Sequence, residues 1–152
     1  MDNTKDHQRE LESIRARCGY DFMALALAET AEHHYVIRWK HASGNLNDRF
    51  KRIVLQSGKG IAGIVFKTGK PVYIPSITQY VGSGNLFNYP IVQSERLESL
   101  AAVPLWNDGR VAGVLLGGFR GEAQVTPEMV RQLEAEAGRG ICGLNGKEMT
   151  TR

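Results

Sequence analysis

Asn107-Asp108-Gly109 stands between two apolar runs, Leu100 to Trp106 (LAAVPLW) and Arg110 to Phe119 (RVAGVLLGGF). An Asp-Gly pair suits the left-handed dihedrals of a two-residue hairpin turn, so the runs are predicted to return on one another as antiparallel strands. A second pair lies upstream: Tyr20 to Ala28 (YDFMALALA) and His33 to His41 (HHYVIRWKH), joined by the polar link Glu29 to Glu32. In the latter run Tyr35, Ile37 and Trp39 alternate with Arg38 and Lys40, the period of a strand. Parallel neighbours need a crossover of a dozen or more residues. These links are too short for one, so the sheet is predicted to be mainly antiparallel.

Helices surround these strands. Thr4 to Arg17 carries a weak apolar stripe at Leu11 and Ile14, and Gly19 follows it. Phe50 to Leu55 reads as extended at its end. Gly58 to Pro71 (GKGIAGIVFKTGKP) places Ile61, Ile64 and Val65 on one helical face, then stops at Gly69 and Pro71. A short strand, Val72 to Ile74, precedes an irregular Ser76 to Asn88 segment with Gly82-Ser83-Gly84 at its tip. Tyr89 to Ser94 reads as a short helix with Pro90 in its first turn. Thr126-Pro127-Glu128 gives an N-cap, a first-turn proline and an early acid. The helix it opens carries Val130, Leu133, Ala137, Ile141 and Leu144, weakened by Gly138, Gly140 and Gly143. The expectation is one α+β domain over residues 1–152, with its core over 19–120 and flanking helices over 4–17 and 127–145.

Composition excludes several classes. The 152 residues are 42% hydrophobic and 23% charged, with no apolar run near the ~20 residues that span a bilayer. Met1 to Glu12 is polar, without the pattern of a signal peptide, so a cytoplasmic protein off the membrane is expected. The net charge of +3 is scattered; its densest patch, Arg49, Lys51 and Arg52, includes Asp48, and no nucleic-acid partner is expected. Cys18 and Cys142 lack Cys or His neighbours at metal-ligand spacing, and read as two thiols rather than a disulfide or metal site. No nucleophile elbow, metalloprotease helix, P-loop or dinucleotide fingerprint occurs. His33-His34 and the acids Glu10, Glu12, Glu134 and Glu136 read as solvated. Catalytic and metal-binding residues are therefore expected to be absent, as in a protein that is not an enzyme.

What remains is binding. The first amides of a helix have no acceptor within it, and the helix dipole makes that end partly positive. Gly58 and Gly60 let something approach Gly60, Ile61 and Ala62 closely. Taken alone, the segment reads as a tight strand-to-helix turn with water on its amides. A second start lies at Asn88-Tyr89-Pro90-Ile91, where Pro90 has no N–H and Ile91 supplies the next donor. Two such starts facing each other would make an apolar pocket with convergent donors. Sequence periodicity does not say whether they meet.

GKGIAGIVFKTGKPVYIP resembles the signature of the GAF family, and LAAVPLWNDGRVAGVLLGG its later hairpin. The resemblance covers about Gly19 to Phe119. It implies a GAF-like antiparallel sheet flanked by helices, with the N- and C-terminal helices packed together. GYDF, IRWKHASGN, FKRIVLQSGKGIAG, YPIV and AVPLW further resemble the stand-alone nitrate receptors of this family, which serve an oxygen-responsive two-component system in Gram-positive bacteria. That implies nitrate (or nitrite) as ligand, no cofactor, and a sensor histidine kinase as partner whose autophosphorylation the nitrate-free form restrains. Carried over by motif, Gly60, Ile61, Ala62, Pro90 and Ile91 would form the donor-bearing turns. Trp39, Leu55 and Tyr89 would form walls, with Phe66, Val103 and Pro104 as further lining. Lys59 would face solvent, and the 76–88 segment would order on binding. The resemblance leaves homodimer formation open. Three other readings stand beside it. A purine or cyclic-nucleotide GAF domain lacks support, since the N-K-F-D-E pattern is absent. A free-methionine sulfoxide reductase would need cysteines around the pocket. The third is an interaction module with an empty pocket.

Overall fold

A computed structural model describes residues 4–32, 34–81 and 85–141. In chain order these form helix α1 (Thr4–Cys18) and strands β1 (Phe22–Ala31), β2 (His34–Ser43) and β3 (Val54–Leu55). Helix α2 (Gly60–Thr68), strand β4 (Val72–Ile74) and short helices α3 (Ile77–Val81) and α4 (Pro90–Glu95) follow. Strands β5 (Ser99–Asn107) and β6 (Arg110–Phe119) and helix α5 (Pro127–Arg139) complete the order, with 3-10 turns at Arg49–Arg52 and Leu86–Asn88.

The strands form one α+β sheet in the order β3-β2-β1-β6-β5-β4, and every neighbouring pair is antiparallel. The predicted hairpin turn is there. Asn107 pairs with Arg110, and the two residues between them, Asp108 and Gly109, have φ of 53° and 76°. Left-handed dihedrals at both central positions match the right-handed twist of the strands. The two hairpins meet where β1 pairs β6, from Phe22 with Gly118 to Leu27 with Gly113.

Each face of the sheet carries helices. On one, Met23, Leu25, Ala101, Val103, Leu105 and Leu115 pack with Leu11 and Ile14 of α1 and Leu133 and Ala137 of α5. On the other, Ala26, Ile37, Trp39, Leu100, Ala102 and Leu116 pack with Ile61, Ala62 and Val65 of α2 and Ile91 and Val92 of α4. Alternation along each strand distributes side chains between the two clusters. Helices α1 and α5 pack together as the resemblance implied. Thr126 caps α5, its Oγ1 accepting from the Met129 N–H at 3.2 Å.

A β-bulge modifies the alternation where it matters for function. Trp39 pairs Ala26 and His41 pairs Leu25, so Lys40 is the extra residue. The bulge sends Trp39 to the α2 face and His41 to the α1 face, against His7 at 5.7 Å.

Two expectations change. The 76–88 segment holds helix α3 and a 3-10 turn, elements too short to show a period. The last helix ends at Arg139 rather than near 145, because Gly140, with φ 98°, turns its N–H back to the Ala137 carbonyl. His33, Gly82-Ser83-Gly84, Cys142, Gly143 and Leu144 lie outside the described residues.

Candidate functional site

The site starts at a turn that only glycine can make. β3 lies at the sheet edge, Leu55 paired with Ile37, and the chain then reverses into α2. Lys59 N–H donates to the Gln56 carbonyl at 2.9 Å, and Gly58 N–H to the Gly63 carbonyl at 2.7 Å. Gly58 and Gly60 have φ of 86° and 67°. A Cβ on Gly60 would lie 3.0 Å from Leu55 Cδ2, and one on Gly63 only 2.4 Å from the Gln56 carbonyl oxygen. The exposed Lys59 is the N-cap; its side chain makes no capping bond, and no acid stands in the first turn. Gly60, Ile61 and Ala62 therefore bring their N–H groups into the core with no acceptor inside the helix.

Helix α4 supplies a second start. Its N-cap Tyr89 makes no side-chain capping bond and Pro90 occupies the first position, which leaves Ile91 as its first donor. With six residues, α4 offers an amide and an apolar wall more than a dipole. Ile91 and Val92 are buried in the same cluster as Ile61 and Ala62, and α2 and α4 are in contact.

Trp39 joins these from the sheet. It follows Ile37 on the same face, and Ile37 pairs Leu55, whose side chain lies against Gly60. Its side chain is 2% exposed, yet its Nε1–H has no hydrogen-bond partner in the protein. An indole nitrogen can only donate, and a buried donor left unmade costs about 1–3 kcal/mol. The cluster thus holds a side-chain donor without an acceptor, together with Ile61 and Ala62 from the first turn of an uncapped helix.

The architecture has known counterparts. The GAF domain family model matches residues 8–138. The chain belongs to the GAF family. A Staphylococcus aureus NreA protein mutated in its nitrate-binding site is similar at 42% identity and TM-score 0.76, over 80% of this chain and 88% of that one. A hypothetical protein from S. aureus is similar at 43% identity and TM-score 0.74, over 78% of this chain and 96% of that one. A free methionine-R-sulfoxide reductase from Neisseria meningitidis, in complex with its substrate, shares 19% identity at TM-score 0.62, over 89% of this chain and 77% of that one. That last likeness concerns the fold alone. No curated protein matches the chain.

Within this GAF domain the predicted site residues fall into three groups. Trp39, Leu55, Ile61, Ala62 and Ile91 are buried in one cluster, with Gly60 buried at the helix start and Tyr89 half-buried against the cluster's edge. Pro90 is half-buried at the start of α4, and Pro104 is buried and alternates onto the same face as Ala102. Phe66 packs against the same cluster one helical turn beyond Ala62. Its ring also faces Tyr35 at 6.2 Å. Val103 is a correction: it packs on the opposite face with α5, because neighbouring strand residues point to opposite sides.

The electrostatics of the cluster favour an uncharged wall. Burial, and then the neighbouring Tyr80, push the Tyr89 phenol up from its ordinary pKa, so it stays neutral. The buried acids and histidine among the described residues are Glu95, Glu136 and His41. His41 and Glu136 belong to the α1/α5 face, and Glu95 ends α4. Cys18 is also on the α1/α5 face, where burial raises its thiol to about 11, a poor nucleophile far from the α2 start. No group of three His, Cys, Asp or Glu side chains could hold a metal among the described residues. No helix there is long and apolar enough to cross a membrane. A groove of about 740 Å³ lies elsewhere, in the fork where β1 and β6 part, and is bounded by the exposed tip of the Asn107–Arg110 turn. The Glu95–Arg120 ion pair at the far end of α4 leaves no signal in the sequence, since its partners are distant in the chain and form no motif.

Proposed function

We propose that this GAF domain is a nitrate receptor. The observation that carries the reading is the buried Trp39 Nε1–H, a donor without an acceptor in the cluster that also holds Ile61 and Ala62 of the uncapped α2 start. Nitrate has acceptor oxygens and no donor, which suits a site made of N–H groups and apolar walls. It is planar, monovalent and weakly hydrated, so it leaves water at less cost than phosphate. Charge-assisted hydrogen bonds contribute about 1.5–3 kcal/mol each, and the α2 dipole adds to them. The amides of Ile61, Ala62 and Ile91 and the Trp39 indole would donate. Leu55, Tyr89 and Pro90 would wall the ion. The likeness to NreA, whose nitrate-binding site is named, supports the same reading.

The receptor reading includes a partner, a cytoplasmic sensor histidine kinase restrained by the nitrate-free form. To shift that balance nitrate must bind one state of the protein better than the other. Thermal melts test the ligand: a site filled at a hundred times its dissociation constant gains about 2.7 kcal/mol. Nitrate is expected to raise the melting temperature at concentrations where chloride and sulfate do not, with nitrite as the graded comparison. Equal shifts from all of these anions would remove the site. Kinase autophosphorylation with the receptor, with and without nitrate, tests the partner separately; a rate indifferent to nitrate sinks that half alone.

A further inference from the structure

Helix α4 is too short to hold itself in place. Isolated helices below about 12–15 residues are marginal in water, and α4 has six. Its far end is instead fastened by an ion pair whose carboxylate is fully buried and whose guanidinium is partly buried. Glu95 is fully buried; its Oε1 accepts from Arg120 Nη2 at 2.5 Å and from the Leu46 N–H at 2.8 Å. Arg120 Nε donates to the Glu95 carbonyl at 2.8 Å. Arg120 is itself fixed, its own N–H on Asp21 Oδ2 at 2.9 Å and its guanidinium 5.6 Å from the Phe22 ring centre. Asn47 Nδ2 adds a bond to the Ser94 carbonyl at 3.0 Å. The last turn of α4 is thus tied to the end of β6, the entrance of β1 and the turn after β2.

Stability is a poor explanation for this arrangement. Glu95 Oε2 and the neighbouring Ser94 Oγ are buried without partners. Replacing such a buried pair by apolar residues of similar volume is often neutral or stabilising. Position is the better explanation. Ile91 and Glu95 are four residues apart, on one face of α4 and about 6 Å apart along its axis. Whatever fixes Glu95 also fixes the rotation and height of Ile91 in the Trp39 cluster.

We propose that the Glu95–Arg120 clamp is the positioning device of the anion site. It sets where the Ile91 side chain and N–H stand, and through them the affinity for nitrate. This inference rests on the nitrate reading.

The test is a sodium nitrate titration followed by calorimetry and by amide resonances of Ile61, Ala62 and Ile91. In the wild-type chain nitrate is expected to shift all three. In the double variant Glu95→Met/Arg120→Leu the melting temperature is expected to hold or rise, while nitrate binds about tenfold more weakly. Its Ile91 response should fall more than those of Ile61 and Ala62. Should the double variant not fold, Asn47→Ala serves, with a smaller loss of the same pattern. Arg17→Met, which breaks an ion pair on the opposite face, is expected to change stability without changing nitrate affinity. A double variant that binds as wild type overturns the clamp and leaves the receptor standing. Equal weakening at all three amides overturns it too, as general loosening. No shift of any amide in the wild-type chain removes the nitrate site itself, and the clamp's role with it.

Discussion

Arg17 grips Glu136 with both arms of its guanidinium, Nε to Oε2 at 3.0 Å and Nη2 to Oε1 at 2.9 Å, and so joins α1 to α5. Arg139 approaches the same carboxylate at 3.6 Å. The Arg17 hydrogen bond, ahead of its charge and that of Arg139, holds Glu136 below the ordinary carboxylate range. A depressed carboxylate pKa gives stability that is present above the unfolded value and lost as pH falls through the folded one. Glu136→Gln is therefore expected to lower the melting temperature by a few degrees at neutral pH. The difference from wild type should shrink as the pH drops below about 4. A constant difference down to pH 3 would show that the fork is not what the charge supports.

The glycines of the α2 entrance predict an order of damage. Gly60→Ala places a side chain at φ 67° and against a Leu55 methyl that can shift, a strain of about 1–2 kcal/mol. Gly63→Ala meets a backbone oxygen at 2.4 Å that cannot shift without moving β3, and should lose about 3 kcal/mol. Urea midpoints at constant slope measure both. Reversal of the order would mean that the turn yields where the structure holds it rigid.

His41 predicts a second pH effect, separated from the first. Burial, followed by the nearby His7 and Lys40 charges, lowers its pKa from the ordinary value. The unfolded chain then takes up a proton that the folded chain refuses. Stability is complete above the unfolded histidine value of about 6.5 and declines as pH falls toward the folded value. His41→Gln should flatten the stability profile between about pH 7 and 5, while leaving the acid limb governed by Glu136 unchanged.

Legibility differed by kind of signal. The Asp108-Gly109 turn, the α2 entrance and the Pro90 start of α4 were readable because each depends on local backbone chemistry. Ile141 and Leu144 continue the apolar period of α5 past Gly140, so the sequence alone predicts a longer helix than the one that ends at Arg139. Val103 and Pro104 are adjacent on β5, so the period of two sends them to opposite faces, Val103 to the α5 side. The bulge at Lys40 and the Glu95–Arg120 clamp were not readable. One depends on the partner strand's register, the other on residues 25 positions apart that touch only once the sheet has formed. The orphaned Trp39 nitrogen belongs to the same class, since burial without an acceptor is a property of the packed core and not of IRWK.

Trp39→Phe separates ligand binding from folding by the sign of its effects. Phenylalanine keeps an aromatic ring in the cluster and removes the Nε1–H that has no acceptor in the protein. Without ligand, the loss of that unsatisfied donor offsets part of the volume lost by the smaller ring, so the melting temperature should change little. Nitrate binding should weaken by about ten- to a hundredfold, the worth of one hydrogen bond to a charged acceptor. Calorimetric titration and ligand-free melts on the same samples give both numbers. A variant that binds nitrate as tightly as the wild type would take Trp39 out of the site and leave its indole nitrogen as an unpaid defect of the core. A variant that loses folding and binding together would make Trp39 a packing residue and move the weight of the site onto the amides of Ile61 and Ala62.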